Sequence, residues 1–193
     1  MKRILSIDFD YFIGTDIDTR NFKFPDGEDL TDVCDLWVNH YVKYPEIEEI
    51  GVTPTFDSFC EYLKTLTKGK VLISNSHRDI AFLFTLIENE ELEVINIDFH
   101  HDNYITGGSK LDCANWVRHL MNVFPNTKFT WIKREDSEVA SLFGDFPYPM
   151  TDDLNIEGEF DYIFICLSPE WTPPHLFPHY HKMCEAVNHL DIV

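Results

Sequence analysis

One apolar stretch of the chain ends abruptly in ionisable side chains, and this junction constrains the fold more than any other feature of the sequence. The stretch is Val94-Ile95-Asn96-Ile97-Asp98-Phe99-His100-His101-Asp102-Asn103-Tyr104. Its apolar half has the pattern of a buried strand, and a loop is predicted beyond it, toward Gly107 and Gly108. Core packing gives no reason for two aspartates and two histidines at the end of such a strand, whereas binding of a metal ion does.

The spacing of these side chains suits a shared ligand. Asp98 and His100 are two residues apart, so on an extended chain they point to the same side, roughly 6.6 Å apart along the strand. Asp102 follows where the chain begins to turn, and it can fold back toward the same point. The segment therefore predicts ligands for a small cation or a pair of cations.

The alternation of strands and helices predicts the fold class. Buried strands are predicted at 2–7, 71–73, 93–98, 128–132 and 161–166. Helices are predicted at 30–43, 53–66, 78–90, 112–123 and 175–190, and loops at 13–29 and 144–159. This order is typical of a three-layer α/β/α sandwich with a mostly parallel sheet, and the length fits a single domain, 1–193.

Polar side chains follow four of the predicted strands. Asp8 and Asp10 follow the first, His77 the second and Glu170 the fifth. Because the carboxyl ends of parallel strands share one edge of a sheet, we expect these groups to meet the Asp98 segment there. The candidate metal ligands at this edge are Asp8, Asp10, His77, Asp98, His100 and Asp102. Oxygen and nitrogen donors without a thiolate favour ions such as Mn²⁺, and six ligands suit two ions better than one ion with an open position.

The formal net charge of −19 limits the partners that the protein can have. The phosphate backbone of a nucleic acid would be repelled, so no nucleic-acid partner is expected. A cationic ligand or a basic peptide would be attracted instead. Solubility alone also accounts for such a charge.

The sequence also lacks the marks of membrane and disulfide-rich proteins. No apolar run reaches the ~20 residues of a membrane span and the first residues do not have the pattern of a signal peptide, so we expect no membrane association and a cytoplasmic location. The five cysteines are scattered, without a C-x-x-C pair, which argues against a disulfide framework and a Cys-type zinc site. The oligomeric state is left open, a homo-oligomer included.

Three segments together resemble the arginase/ureohydrolase superfamily. Residues 98–102 have its D-x-H-x-D form, residues 6–10 resemble its S-x-D-x-D segment, and Ser76-His77 is similar to the segment that carries its first histidine ligand. The resemblance implies an arginase/deacetylase-like fold and two Mn²⁺ ions. It also implies two ligand sets with Asp98 and Asp8 bridging, namely His77, Asp98, Asp102 and Asp8 for one ion and Asp98, His100, Asp8 and Asp10 for the other.

A smaller branch of this superfamily is more similar still. The short length, Asn115-Trp116 and the segment 168–174 resemble the peptide arginases of ribosomal natural-product (RiPP) pathways. Those enzymes convert arginine in a precursor peptide to ornithine and release urea, so the resemblance implies post-translational modification of an arginine-containing precursor peptide. In ordinary arginases the S-x-D-x-D segment comes late in the chain, whereas here it comes first.

Individual roles follow from the position of each residue near the predicted edge. Glu170 is the candidate for pairing with the guanidinium, Asn115 for orienting the substrate and Trp171 for walling the pocket. Asp10 and His101 are the candidates for relaying a proton to the leaving amine, which makes them, with Glu170, the candidate catalytic residues. Two alternatives stay open. One is another ureohydrolase or a zinc-type deacetylase on the same scaffold, and the other is a non-catalytic, acidic, metal-dependent binding module.

Overall fold

A computed structural model of the chain describes residues 1–25, 33–87, 91–105, 110–141 and 144–193. In chain order, the strands are β1 (Lys2–Asp8), β2 (Lys70–Ser74), β3 (Leu92–Ile97), β4 (Lys128–Ile132), β5 (Ala140–Ser141), β6 (Gly144–Asp145), β7 (Met150–Thr151), β8 (Tyr162–Cys166) and β9 (Asp191–Ile192). Within the described residues, seven strands form one sheet in the order β7-β4-β3-β1-β8-β2-β9, and every neighbouring pair is parallel. Strands β5 and β6 pair separately, in antiparallel fashion.

Helical crossovers join β1 to β2, β2 to β3, β3 to β4 and β8 to β9, as parallel pairing requires. The α-helices are α1 (Ile17–Lys23), α2 (Val33–Lys43), α3 (Phe56–Thr65), α4 (Ala81–Thr85), α5 (Trp116–Val123) and α6 (Phe177–Ala186). Short 3-10 helices occur at Phe9–Phe12, Pro45–Glu49, His77–Ile80 and Pro174–Leu176. None of the helices in the described ranges combines the length and the apolar character that crossing a membrane requires.

Alternate residues of each strand feed two hydrophobic cores on opposite sides of the sheet. In β8, Ile163 and Ile165 belong to one core, whereas Phe164 and Cys166 belong to the other, because successive side chains of a strand point to opposite faces. The first core takes side chains from α2, α3 and α6, and the second takes side chains from α4 and α5. Two helical layers therefore cover one parallel sheet, which confirms the predicted three-layer sandwich.

The five strands predicted from the apolar runs are confirmed as β1, β2, β3, β4 and β8. The edge strands β7 and β9 were not predicted, and the segment 144–159, predicted as a loop, contains β6 and β7. Each of these strands has two residues, which is too short for apolar and polar positions to alternate in a recognisable way.

The helix predictions need more correction. The segment 13–29, predicted as a loop, contains α1, whose first turn is capped by Asp16: its Oδ1 accepts a hydrogen bond of 2.7 Å from the Thr19 amide. The helices predicted at 78–90, 112–123 and 175–190 are shorter than expected, because turns or 3-10 helices take up their first residues and because α4 and α6 also end early, at Thr85 and Ala186. The predicted structure of residues 30–32, of residues 88–90 and of the loop at Gly107 and Gly108 lies outside the described residues.

The order of the strands places the polar strand ends side by side. Strands β3, β1, β8 and β2 are consecutive neighbours in the sheet, and each is followed by one of the polar segments singled out in the sequence. Since all four strands run in the same direction, these segments lie along one carboxyl edge of the sheet, where α/β proteins commonly bind ligands.

Candidate metal centre

The candidate ligands converge as two groups of three that share one residue. The first group is Asp8, His77 and Asp98, and the second is Asp10, Asp98 and His100. Within each group, one ligand atom from every residue lies within 4.8 Å of the others. Asp98 belongs to both groups, so the two groups are adjacent and share one carboxylate. A buried Asp/His cluster that is able to hold metal is therefore present at the predicted edge.

The imidazole of His77 lies at the centre of three carboxylates. Its Nδ1 atom lies 3.2 Å from Asp8 Oδ2, 3.1 Å from Asp98 Oδ2 and 3.1 Å from Asp102 Oδ2. It meets hydrogen-bond geometry with none of them, although the ring is buried. The Nδ1 atom of His77 is thus equally close to three carboxylate oxygens and hydrogen-bonded to none of them. Such an arrangement fits ligands placed around a shared cation.

The other ring nitrogen of His77 contacts β1, which is separated from β2 by β8 in the sheet. Its Nε2 atom lies 2.7 Å from the Oγ of Ser6, which is fully buried in β1. A ring nitrogen that binds a metal must carry a lone pair, so we assign the proton to Nε2, which donates to Ser6. The set Ser6, His77 and Asp98 has the composition of a nucleophilic triad, but the buried hydroxyl of Ser6 has no access to a substrate.

Local backbone structure explains why the aspartates point to one place. The chain turns sharply after β1 and after β3, since Asp8 Oδ1 accepts a hydrogen bond of 3.1 Å from the amide of Asp10 and Asp98 Oδ1 accepts one of 2.8 Å from the amide of His100. Asp102 has a φ of 48°, in the left-handed region that non-glycine residues seldom adopt. Its carbonyl accepts a hydrogen bond of 3.1 Å from the amide of Val117, so contacts with α5 stabilise this conformation.

Uncharged side chains donate hydrogen bonds to three of the carboxylates. Ser168 Oγ donates to Asp8 Oδ2 at 2.5 Å, and Trp116 Nε1 donates to Asp102 Oδ2 at 2.7 Å. The side-chain amide of Asn96 donates to Asp98 Oδ2 at 3.3 Å. Such outer contacts orient a carboxylate and leave lone pairs free for a metal, and they are a regular feature of protein metal sites.

Without a cation, this concentration of buried acid groups is costly, as their pKa values indicate. Burial raises the pKa of Asp8, of Asp98 and of Asp102, and neighbouring carboxylates add to the effect. Burial lowers the pKa of His100, but the Asp10 carboxylate outweighs it and raises the value to about 9. The Asp/His cluster therefore retains protons at neutral pH that a bound cation would displace.

A cavity of about 190 Å³ opens onto the cluster. The residues that line it include His77, His100, Asp102, Glu170 and Trp171. The rings of Trp171 and His100 lie 4.7 Å apart, so the indole packs against one member of the second group of ligands. A larger cavity, of about 660 Å³, is lined by none of the candidate ligands, so its size does not make it the functional site. The smaller cavity brings together the predicted residues Glu170 and Trp171.

Four predicted site residues do not line the cavity: Asp10 and Asp98, which belong to the groups of ligands, and His101 and Asn115. His101 is buried among aromatic rings, 4.0 Å from that of Tyr104 and 5.4 Å from that of Phe146, and its Nδ1 accepts a hydrogen bond of 3.0 Å from the Asn103 amide. Asn115 is also buried. Its Oδ1 accepts from the amide of residue 112 and its Nδ2 donates to the carbonyl of residue 110, each at 3.0 Å. His101 and Asn115 therefore brace the chain around the centre.

Several residues of the site were missed from the sequence. Ser6 and Ser168 support His77 and Asp8, and Glu138 is a further carboxylate that lines the cavity. Ser6 carried a usable signal, since a polar residue two positions before Asp8 in a buried strand must face the same side as Asp8. Glu138 lies in an irregular segment beyond β4, where no periodicity marks it.

The chain was also compared with known proteins. No protein-family model, no curated protein and no solved structure matches it. The donor set itself indicates the class of ion: carboxylates and imidazoles without a thiolate suit Mn²⁺ and similar divalent ions. Two buried atoms of the cluster, Nδ1 of His77 and Oδ2 of Asp10, meet hydrogen-bond geometry with no partner, and they belong to different groups of ligands.

Proposed function

We propose that this protein is a binuclear manganese-dependent hydrolase that cleaves the guanidinium group of arginine residues in a precursor peptide, giving ornithine and urea. The observation that carries the proposal is that Asp98 belongs to both groups of ligands, and that each group has at least one member that lines the same cavity. The resemblance of residues 6–10 and 98–102 to the arginase/ureohydrolase superfamily supports the same activity. The metal would be held by Asp8, Asp10, His77, Asp98, His100 and Asp102.

The cavity suits a narrow, positively charged group. Its volume of about 190 Å³ is below the range for drug-sized ligands and suits the end of one side chain. Carboxylates of Glu138 and Glu170 line it, and Trp171 adds an aromatic wall. A guanidinium is planar, always charged and able to pair with a carboxylate through two parallel hydrogen bonds, so it matches this lining.

The proposed reaction requires a water molecule and a proton path. When bound, two ions of this kind make water nucleophilic near neutral pH and stabilise negative charge that develops during the reaction. The water oxygen adds to the guanidinium carbon, the bond from that carbon to the side-chain Nε breaks, and both protons of the water end on Nε. The products are urea and the protonated amine of ornithine, so atoms and charge balance.

We assign the transfer of protons to Glu170 in preference to His101. Glu170 lines the cavity, and burial raises the pKa of its carboxyl group, which moves it toward the range in which a group both accepts and releases protons near neutral pH. Burial and the nearby His100 lower the pKa of His101 to about 4, so its imidazole is neutral in its aromatic surroundings. Asp10, the other candidate for this role, is occupied by His100, whose Nδ1 lies 2.8 Å from Asp10 Oδ2.

The proposal is tested by measuring metal content and product mass together. The purified protein, loaded with Mn²⁺, is incubated with an arginine-containing peptide, with free arginine, with agmatine and with an acetyl-lysine peptide. We expect urea from the arginine peptide and a mass loss of one CH₂N₂ unit for each converted residue. Asp98→Asn, which alters the shared ligand, should abolish both.

The other outcomes separate the alternatives. Urea from agmatine but not from the peptide would indicate another ureohydrolase, and acetate from the acetyl-lysine peptide would indicate a deacetylase. Binding of Mn²⁺ without turnover of any of the four substrates would overturn the enzymatic proposal in favour of a metal-dependent binding module.

A further inference from the structure

A buried arginine lies directly behind one of the two groups of ligands. Arg20, on α1, is 1% exposed, and its Nη2 donates to the carbonyl of Asp10 at 2.6 Å and to the carbonyl of Ile13 at 3.2 Å. Its Nη1 lies 3.6 Å from Asp10 Oδ2. The guanidinium thus contacts both the backbone and the side chain of one candidate ligand.

The same guanidinium also contacts the strand end that carries the partner ligands. It stacks on the ring of Phe99, with its central carbon 3.8 Å from the ring centroid. Phe99 lies between Asp98 and His100 in the sequence, and its amide donates to Asp10 Oδ1 at 3.3 Å. Arg20 therefore contacts both the turn after β1 and the turn after β3. These two turns supply every ligand of the second group.

Stability alone does not explain this residue. A fully buried guanidinium loses its hydration, and two of its nitrogen atoms, Nε and Nη1, have no hydrogen-bond partner. Apolar residues of similar volume commonly replace such buried charges without loss of stability. The contacts of Arg20 with the carbonyl and the carboxylate of Asp10 instead fix the direction of that carboxylate, which is what a metal ligand requires.

We propose that Arg20 is a positioning residue for one ion of the pair: it aims the Asp10 carboxylate at the site formed with Asp98 and His100, and it leaves the site of Asp8, His77 and Asp98 unaffected. This inference rests on the proposed binuclear centre. It predicts an effect opposite to that of simple electrostatics. A nearby positive charge opposes cation binding, so removal of a purely electrostatic Arg20 would tighten the second ion, whereas removal of a positioning residue weakens it.

The test measures the number and affinity of bound Mn²⁺ ions in Arg20→Met, by calorimetric titration and by electron paramagnetic resonance. Arg134→Met is the matched control. The Arg134 guanidinium stacks on the same Phe99 ring at 5.3 Å and donates to the carbonyls of Ile13 and Thr15, but its carboxylate partner is Asp136. Arg20→Lys, which keeps the charge and loses the planar fork, is the conservative variant.

We expect two ions and a spin-coupled signal in the wild type and in Arg134→Met. In Arg20→Met we expect one ion at wild-type affinity and the second weakened at least tenfold, with the signal of an isolated Mn²⁺. The remaining ion should still raise the melting temperature, which shows that the variant is folded. Asp10→Asn should lose the same ion, and adding Arg20→Met to it should cause no further loss.

Other results would overturn the inference. Two ions of unchanged or higher affinity in Arg20→Met would exclude positioning, and equal weakening of both ions, or the same loss in Arg134→Met, would indicate a general structural role. If Arg20→Met does not fold, Arg20→Lys decides: selective weakening of one ion supports the inference and unchanged binding of two ions overturns it. A wild type that fails to bind two ions would instead overturn the proposed binuclear centre itself.

Discussion

Ser6 and His77 are joined by a hydrogen bond of 2.7 Å between the serine Oγ and the imidazole Nε2, and both side chains are buried. The bond crosses from β1 to the turn after β2, past the intervening strand β8. It fixes the ring orientation that directs Nδ1 toward the carboxylates of Asp8, Asp98 and Asp102. The geometry of the candidate centre therefore depends on a hydroxyl group that is not itself one of the candidate ligands.

Ser6→Ala should weaken binding of the ion held by His77 about tenfold or more, because the ring loses the partner that fixes its tautomer and orientation. The measurement is Mn²⁺ affinity in competition with a chelator. Ser58→Ala is the matched control, since the Ser58 hydroxyl donates to the carbonyl of Thr55 on the exposed surface of α3. Equal affinities for Ser6→Ala and the wild type would contradict the proposed role of Ser6.

The ligand aspartates should differ in how many ions they control. Asp98→Asn should weaken both ions, because Asp98 belongs to both groups of ligands, whereas Asp8→Asn and Asp10→Asn should each weaken mainly one. Urea formation should fall below detection in Asp98→Asn. Metal content of the purified variants is the measurement, and Asp57→Asn, at an exposed ion pair with Lys182, is the control. Loss of a single ion in Asp98→Asn would argue against a bridging role.

The position of the Asp/His cluster could be predicted from the sequence because its signals lie within short stretches of the chain. The ligands occur at fixed spacing directly after buried strands, as with Asp98 and His100, and a parallel sheet brings the ends of such strands together whatever the loops do. The prediction of the α/β sandwich rests on the same strong apolar runs. Both were recognisable because each signal lies within a few consecutive residues.

What the sequence did not reveal depends on irregular turns and on contacts between distant segments. Arg20 lies in a segment predicted as a loop, and only the folded chain shows that its guanidinium is buried against Phe99. The role of Asn115 as a brace for residues 110–112 depends on a turn that no periodicity marks. The aromatic surroundings of His101 likewise include Phe146, which lies on a distant segment.

The metal-free protein should become less stable as the pH rises from about 6.5 to about 9. Burial lowers the pKa of His100 but Asp10 outweighs it and raises the value to about 9, so its stabilisation is present below the unfolded pKa and is lost as the pH rises through 9. The raised pKa of Asp98 acts in the same direction, because the folded state holds a proton that the unfolded state has released. Each such proton costs about 1.4 kcal/mol of unfolding free energy per pH unit.

Mn²⁺ should reverse part of this trend. Binding requires deprotonated ligands, so the stabilisation that the metal provides should grow over the same pH range in which the metal-free protein weakens. Thermal melts with and without Mn²⁺, at several pH values, measure both effects. The relevant pH range runs from about 6.5, the pKa of an unfolded histidine, to about 9, the pKa of His100 in the folded protein. A gain in melting temperature that stays constant from about pH 6.5 to about pH 9 would show that the Asp/His cluster does not bind the added ions.

Glu170→Gln should impair both recognition of the arginine peptide and the proton transfer assigned to Glu170, while leaving the metal ions bound. Hydrogen bonds to charged groups contribute about 1.5–3 kcal/mol, so loss of the carboxylate charge should lower kcat/KM by at least roughly ten- to a hundredfold, and loss of proton transfer should lower kcat as well. Steady-state urea formation gives that ratio, and Glu185→Gln, at an exposed position near the end of α6, is the control. Because burial raises the pKa of Glu170, the wild-type rate should fall as the pH is lowered through that raised value, since the protonated acid no longer pairs with a guanidinium. If the rate of Glu170→Gln falls at low pH in the same way as the wild-type rate, the group that titrates is another residue. Recognition of the substrate cation would then be assigned to that residue.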